Sequence, residues 1–182
     1  MKFISTSLPG VMLIEPQCFR DARGFFMETF QARHFAEAGL PSAFVQDNHS
    51  ASCQGTLRGL HYQVSNVQGK LARVVVGEVF DVAVDLRRSS PTFGKWVSML
   101  LSAQNQLQVY IPPGFAHGFY AASAWAEILY KTTEPYNPQA ERTLLWNDPT
   151  LAIPWPLVDG QPPLLSAKDA RGALFTEAEV YP

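Results

Sequence analysis

Charge is scarce in this chain. Asp, Glu, Lys and Arg make up 16% of its 182 residues, against roughly 25% in an ordinary soluble domain. Part of the surface is therefore expected to face something other than water, and a second copy of the chain is the simplest occupant. The few charges also nearly cancel, 14 Lys and Arg against 16 Asp and Glu for a net charge of −2. No basic stripe marks nucleic acid or an anionic membrane as a partner. Cysteine is scarcer still: Cys18 and Cys53 fit no metal-ligand or redox spacing, and two isolated thiols suit the reduced state and the cytoplasm better than a disulfide framework. The segment from Lys2 to Glu15 lacks the long apolar run of a signal peptide. No stretch reads as a bilayer span either. Trp96–Ala126 carries no Asp, Glu, Lys or Arg, but Gln104, Asn105, Gln106, Gln108 and Pro112-Pro113 interrupt it, so it is expected to be buried sheet.

Helical periodicity is nearly absent, confined to Ala32–Ala38, which Gly39 and Pro41 close, and a turn near Ala167–Leu174. Alternation takes its place. Phe80, Val82, Val84 and Leu86 point one way and Asp81, Ala83 and Asp85 the other, the pattern of a half-buried strand. Comparable runs at Trp96–Leu101, Leu107–Ile111, Gly118–Ala122, Ala126–Thr132 and Arg142–Trp146 are separated by turn formers such as Ser89-Ser90-Pro91, Pro112-Pro113-Gly114 and Asn137-Pro138. The pattern predicts an all-β fold, a jelly-roll β-sandwich or barrel with a few short helices. No repeat, low-complexity tract or linker divides it, so residues 1–182 are expected to form one domain, large enough to hide roughly 70% of its unfolded surface. Between Pro149 and Pro163 the prolines alternate with Ile153, Trp155 and Leu157, which reads as an ordered wrapping arm rather than a hinge.

Histidine is rare, four in all, and His61 stands in unusual company. Arg58-Gly59-Leu60-His61-Tyr62-Gln63, followed by Lys70, places a guanidinium, an imidazole and an ammonium in one short unit. That is the equipment for holding an anion and moving a proton. A metal site is the first alternative. Gly55 and His61 match the beginning of the cupin metal motif and Pro112–His117 its second part, but Gln63 occupies the place of the second histidine, and Val67 and Gln68 the places of the glutamate. Two imidazoles without a third ligand hold a divalent ion poorly, so neither metal nor cofactor is expected.

Proton transfer fits the residues better. His61 titrates near neutrality, the Tyr130 phenol is an acid, and the Lys70 ammonium can neutralise an enolate oxygen. Together they would remove a proton next to a carbonyl. A carboxylate should orient the imidazole, and Asp81, Asp85 and Asp169 are equally eligible. Each residue also has an ordinary structural reading, since a strand histidine or tyrosine is commonly core and a lysine commonly faces solvent. Strict two-residue periodicity sets Arg58 and His61 on opposite faces, so both reach one pocket only if Arg58 precedes the strand and Gly59 begins it.

Blocks along nearly the whole chain carry a more specific resemblance: Phe19–Glu28, Gln46–Ser50, Thr56–Gln63, Lys70, Val84–Arg87, Pro112–Phe119, Trp146–Pro149 and Leu165–Asp169. In content and order they resemble the dTDP-4-dehydrorhamnose 3,5-epimerases, metal-independent cupin-fold enzymes of nucleotide-sugar biosynthesis. The resemblance implies a cupin-type jelly roll acting on a dTDP-4-keto-6-deoxy sugar. His61 would be the base at C3 and then C5, Tyr130 the acid on the opposite face, Asp169 the partner of His61, and Lys70 the counter-charge at the C4 oxygen. It also implies that Arg58 and His117 line the sugar–diphosphate region, with Gln46, Asn48, Glu141 and Lys168 completing the pocket and Tyr136 stacked on thymine. Arg23 and Glu28 would reach in from the other subunit of a homodimer. Relatives that invert a single centre share the same base and acid, so a 3- or 5-monoepimerase is one alternative and a non-catalytic nucleotide-sugar-binding cupin another.

Overall fold

The computed structural model describes residues 1–182, and its strands form two antiparallel sheets that share one core. Six strands lie side by side in the order β1 (Lys2–Ser5), β2 (Met12–Glu15), β10 (Gln108–Ile111), β7 (Lys70–Val76), β12 (Trp125–Thr132) and β5 (Gln46–Cys53). The second sheet runs β13 (Glu141–Thr143), β6 (Leu57–Gln63), β11 (Phe115–Ala121), β8 (Glu78–Asp85) and β9 (Trp96–Ser102). A hairpin of β3 (Cys18–Asp21) and β4 (Gly24–Met27) pairs with neither. This is the expected jelly-roll architecture, and α1 (Ala32–Glu37) falls where the helical period placed it.

Alternation explains how the sheets meet. Ala72 and Val74 of β7, Val109 and Ile111 of β10, and Ala126 and Ile128 of β12 pack with Val79 and Ala83 of β8, Leu101 of β9, and Phe115, Phe119 and Ala121 of β11 in one buried cluster. Removing these side chains from water is the main force holding the sheets together. On the outer face of the six-stranded sheet, Phe35 of α1 covers Ile14, Leu71 and Tyr110.

Two expectations are corrected. β8 is not half buried, because Val82 and Val84 on one face and Asp81, Ala83 and Asp85 on the other are all fully buried. The C-terminal arm covers its second face, where Ile153 and Trp155 join Leu57, Leu60, Val82, Val84 and Tyr120. That arm is ordered, as its interleaved apolar residues predicted, and the Trp155 indole N–H donates to the Trp146 carbonyl (2.7 Å). The uncharged stretch is buried sheet in β10 and β11, but β9 lies at a sheet edge and leaves Leu100 half exposed. Both cysteines are free thiols.

Asp85 shows how β8 tolerates charge inside. Burial pushes its carboxyl up, but hydrogen bonds from Arg87, Ser90 and Thr92 outweigh this and hold its pKa at about 2, below the ordinary 3.8. A group depressed in the folded state stabilises the fold above its unfolded pKa and loses that contribution as pH falls through the folded value. The gap corresponds to about 2 kcal/mol. Asp85→Asn should therefore lower stability to urea by about 2 kcal/mol or more near neutral pH. The difference from the parent should shrink as pH falls from about 4 to about 2.

Candidate active site

A cavity of about 500 Å³ opens between the sheets, a size suited to a small-molecule ligand. Gln46, Asn48, Arg58, His61, Lys70, His117, Tyr130, Tyr136, Glu141, Lys168 and Asp169 all line it. Arg23 and Glu28 do not. Arg23 lies on the β3–β4 turn, 90% exposed in its side chain and paired with Asp21 (2.6 Å), and Glu28 lies 3.3 Å from His34.

The expected conflict between Arg58 and His61 is resolved by an irregularity in β6. Opposite β11, His61 pairs with His117 and Arg58 with Phe119, so three steps along β6 match two along β11. An extra residue in a strand shifts the faces of all that follow. Leu57, Leu60 and Tyr62 accordingly share the outer cluster, and Arg58 and His61 both line the cavity from within the strand. Arg58 therefore does not precede the strand as the two-residue period required. Glycine permits the close approach: a Cβ on Gly59, whose φ is +117°, would meet the Gly118 Cα at 2.6 Å.

The three eligible carboxylates have different partners. Asp169 takes His61, Asp81 takes His117 (2.8 Å), and Asp85 takes Arg87 (2.8 Å). His61 Nε2 lies 2.5 Å from Asp169 Oδ1, and Ser166 Oγ donates to the other oxygen at 2.8 Å. Burial pushes the His61 pKa below its ordinary value despite the opposing pull of Asp169, and Asp169 is held below the usual carboxylate range by His61 and Ser166 against its own burial. The pair thus rests as neutral imidazole and carboxylate. Because a carboxylate only accepts, Nε2 carries the hydrogen and Nδ1 is left with a free lone pair.

Tyr130 stands on the other sheet, its Cα opposite Ala72 and Asn48. Burial raises its pKa, so the phenol keeps its proton at neutral pH. Lys70, on β7 beside β12, reaches across and donates to the His61 carbonyl (3.3 Å). Its side chain forms no ion pair, and burial pulls its pKa down to about 8. Arg58 likewise has no carboxylate partner; it donates to Ser52 Oγ and the Ala51 carbonyl (both 3.0 Å). At the rim Glu141 accepts from Lys168 (2.6 Å) and from the Tyr136 hydroxyl (2.9 Å). Base and acid candidates therefore face each other from opposite sheets, with an unpaired cation reaching between the walls.

Sequence reasoning did not foresee Asp81 as the partner of His117, nor Ser166 as a support for Asp169. It also missed Ser50, whose buried hydroxyl lines the cavity without a partner. No local signal marks these residues, since each is brought in by strand register or by the folded-back arm.

Residues 5–177 match the family model of dTDP-4-dehydrorhamnose 3,5-epimerase. A dTDP-4-dehydrorhamnose 3,5-epimerase from Pseudomonas aeruginosa is 57% identical over the full length of both chains. The crystal structure of a dTDP-6-deoxy-D-glucose-3,5-epimerase from Legionella pneumophila, in complex with dTDP-4-keto-L-rhamnose, is 50% identical. It has a TM-score of 0.94 and covers 98% of this chain and 94% of that one. A 3′-monoepimerase from Streptomyces bikiniensis in complex with dTDP-quinovose is similar at 33% identity and a TM-score of 0.89, covering 95% of this chain and 87% of that one.

Proposed function

The chain belongs to the dTDP-4-dehydrorhamnose 3,5-epimerase family, and from that premise we propose that it converts dTDP-4-dehydro-6-deoxy-D-glucose to dTDP-4-dehydro-L-rhamnose by inverting C3 and C5. The hydrogens on both carbons are acidic because the C4 ketone between them can take up the charge. His61 Nδ1 removes one, the C–H electron pair moves into the bond to C4, and the resulting enolate oxygen lies beside the Lys70 ammonium. Tyr130 then gives its phenolic proton to the opposite face of the same carbon, and the ketone re-forms. Asp169 supports the imidazolium formed in the first step. Each inversion leaves His61 protonated and Tyr130 as phenolate, and proton exchange with water resets both before the second carbon reacts.

One observation carries this reading: the Asp169-paired imidazole and the Tyr130 phenol lie on opposite sheets across one cavity, with Lys70 reaching between them. Inversion needs acid and base on opposite sides of the ring, and the enolate between them needs a positive charge already in place. Arg58 and His117 would hold the diphosphate, Arg58 through its two-pronged guanidinium, with Gln46, Asn48, Glu141 and Lys168 around the sugar nucleotide and Tyr136 against thymine. In proton NMR of the product, the coupling between the hydrogens on C2 and C3 should report inversion at C3. Through-space Overhauser contacts of the C5 hydrogen, which has no neighbour on the C4 ketone to couple to, should report inversion at C5. A product inverted at one centre alone would select the monoepimerase reading, which the higher identity to double epimerases disfavours.

The same groups predict the pH profile. His61 must be neutral to act as base, and burial holds its pKa below 6.5, so the acid limb of kcat/KM should lie below the ordinary histidine value. Lys70 must be protonated, so activity should fall again as pH rises through about 8. Lys70→Arg, whose cation does not titrate there, should displace that alkaline limb upward. An unchanged limb would remove Lys70 from this role.

The proposal extends to a cytoplasmic homodimer. Arg23 sits on a hairpin whose Phe19, Phe25 and Phe26 are all more than half exposed, a patch that favours burial against another copy. Reaching out from this arm, Arg23 and Glu28 would complete the partner's cavity. Light scattering should read twice the 20.2 kDa chain mass, and a monomer would contradict this part. The two free thiols suit a reducing compartment.

A further inference from the structure

Gln63 ends β6 and is buried, at 4% exposure. Its amide works on both sides. Nε2 donates to the carbonyls of Asn66 (2.8 Å) and Pro135 (3.3 Å), and Oε1 accepts from the Asn137 N–H (2.9 Å). Pro135 and Asn137 are the two neighbours of Tyr136. The Tyr136 N–H donates to Gln46 Oε1 (2.9 Å), and its hydroxyl donates to Glu141 Oε2 (2.9 Å). Glu141 is in turn the Cα partner of Gln63 across β6 and β13. One cross-strand pair thus holds Tyr136 at both ends, Gln63 through the flanking backbone and Glu141 through the phenol.

The ring itself is half exposed where it lines the cavity. On an unrestrained loop such a ring would sample many orientations, and a ligand stacking on it would have to remove that freedom on binding. The position demands an amide. A carboxylate would set oxygen against the Asn66 and Pro135 carbonyls, an imidazole has too few groups for three partners, and an apolar side chain would leave all three without this contact.

We infer that Gln63 is a positioning residue for nucleotide recognition: it fixes the Tyr136 loop so that the ring stands ready as a stacking wall, and it takes no part in proton transfer. The inference rests on the proposed reading that Tyr136 stacks on the thymine base. In its place a metal-binding cupin would carry a ligand histidine, whereas here the side chain anchors a loop.

The test uses the full chain, with thymidine diphosphate as the probe in calorimetry and steady-state kinetics alongside. Gln63→Met should raise the Kd for thymidine diphosphate and the KM about tenfold while kcat falls less than about threefold. Gln63→Glu, which keeps length and one acceptor, should raise the Kd in the same direction and serves if the methionine variant does not fold. In a Tyr136→Ala background neither change should weaken binding further, because the wall that Gln63 holds is gone. A folded Gln63 variant with parental Kd would overturn the inference, and so would an undiminished effect in Tyr136→Ala or a kcat loss as large as the KM rise. If Tyr136→Ala alone leaves the Kd unchanged, the stacking reading fails and the inference with it. If Tyr136→Ala weakens binding but Gln63→Met does not, only the inference fails.

Discussion

His61→Asn should lower turnover by about 10³-fold or more while leaving the affinity for thymidine diphosphate nearly unchanged. Asparagine ends where Nδ1 stood, too short to replace the Nε2 contact with Asp169. It removes the proposed proton-accepting lone pair but leaves in place Arg58 and Tyr136, the groups proposed to hold the nucleotide. A base acts in the transition state, so its removal appears in kcat and not in binding. The cavity also contains a second imidazole paired with a carboxylate, His117 with Asp81 (2.8 Å), which makes the experiment discriminating. Retention of more than about a tenth of parental turnover in His61→Asn would shift the base role toward that second pair.

Tyr130→Phe should separate two events that are coupled in the parent. The ring and its packing remain, and only the proton donor on the far face is lost. Inversion should fall by about 10²-fold to 10⁴-fold. His61 can still remove a proton and return it to the face it came from, so hydrogen exchange at C3 should continue with retained configuration. The ratio of exchange to inversion should therefore rise steeply, as read by NMR of substrate recovered from heavy water. Exchange and inversion falling together would place Tyr130 in the deprotonation step instead.

Much of the architecture was legible from residue order, because a half-buried strand declares itself by alternation and its ends by Gly, Pro and Asn. The runs at Trp96–Leu101 and Ala126–Thr132 became β9 and β12 with ends shifted by a residue. Less legible was anything that depends on what covers a strand. Nothing in Phe80–Leu86 says that an arm containing Ile153 and Trp155 returns to bury its second face. The N-terminal strands were also quiet, since β3 and β4 are mostly exposed and show no alternation of burial.

The site divides in the same way. Residue type and company singled out His61, Lys70 and Tyr130, and all three line one cavity. The choice of carboxylate was not readable, because Asp81, Asp85 and Asp169 are distinguished only by strand register and by the turn that carries Asp169 to β6. Arg58 was placed on the wrong face for a regular strand, and one extra residue opposite β11 removed the difficulty. Regular periodicity is a property of regular strands, and such irregularities are common beside active sites.

The most direct test is to incubate the protein with dTDP-4-dehydro-6-deoxy-D-glucose in heavy water and locate deuterium in the inverted product. Proton removal by His61 and return from solvent-exchanged Tyr130 predicts deuterium at both C3 and C5. An inverted product with neither carbon labelled would contradict acid–base inversion through an enolate at this site.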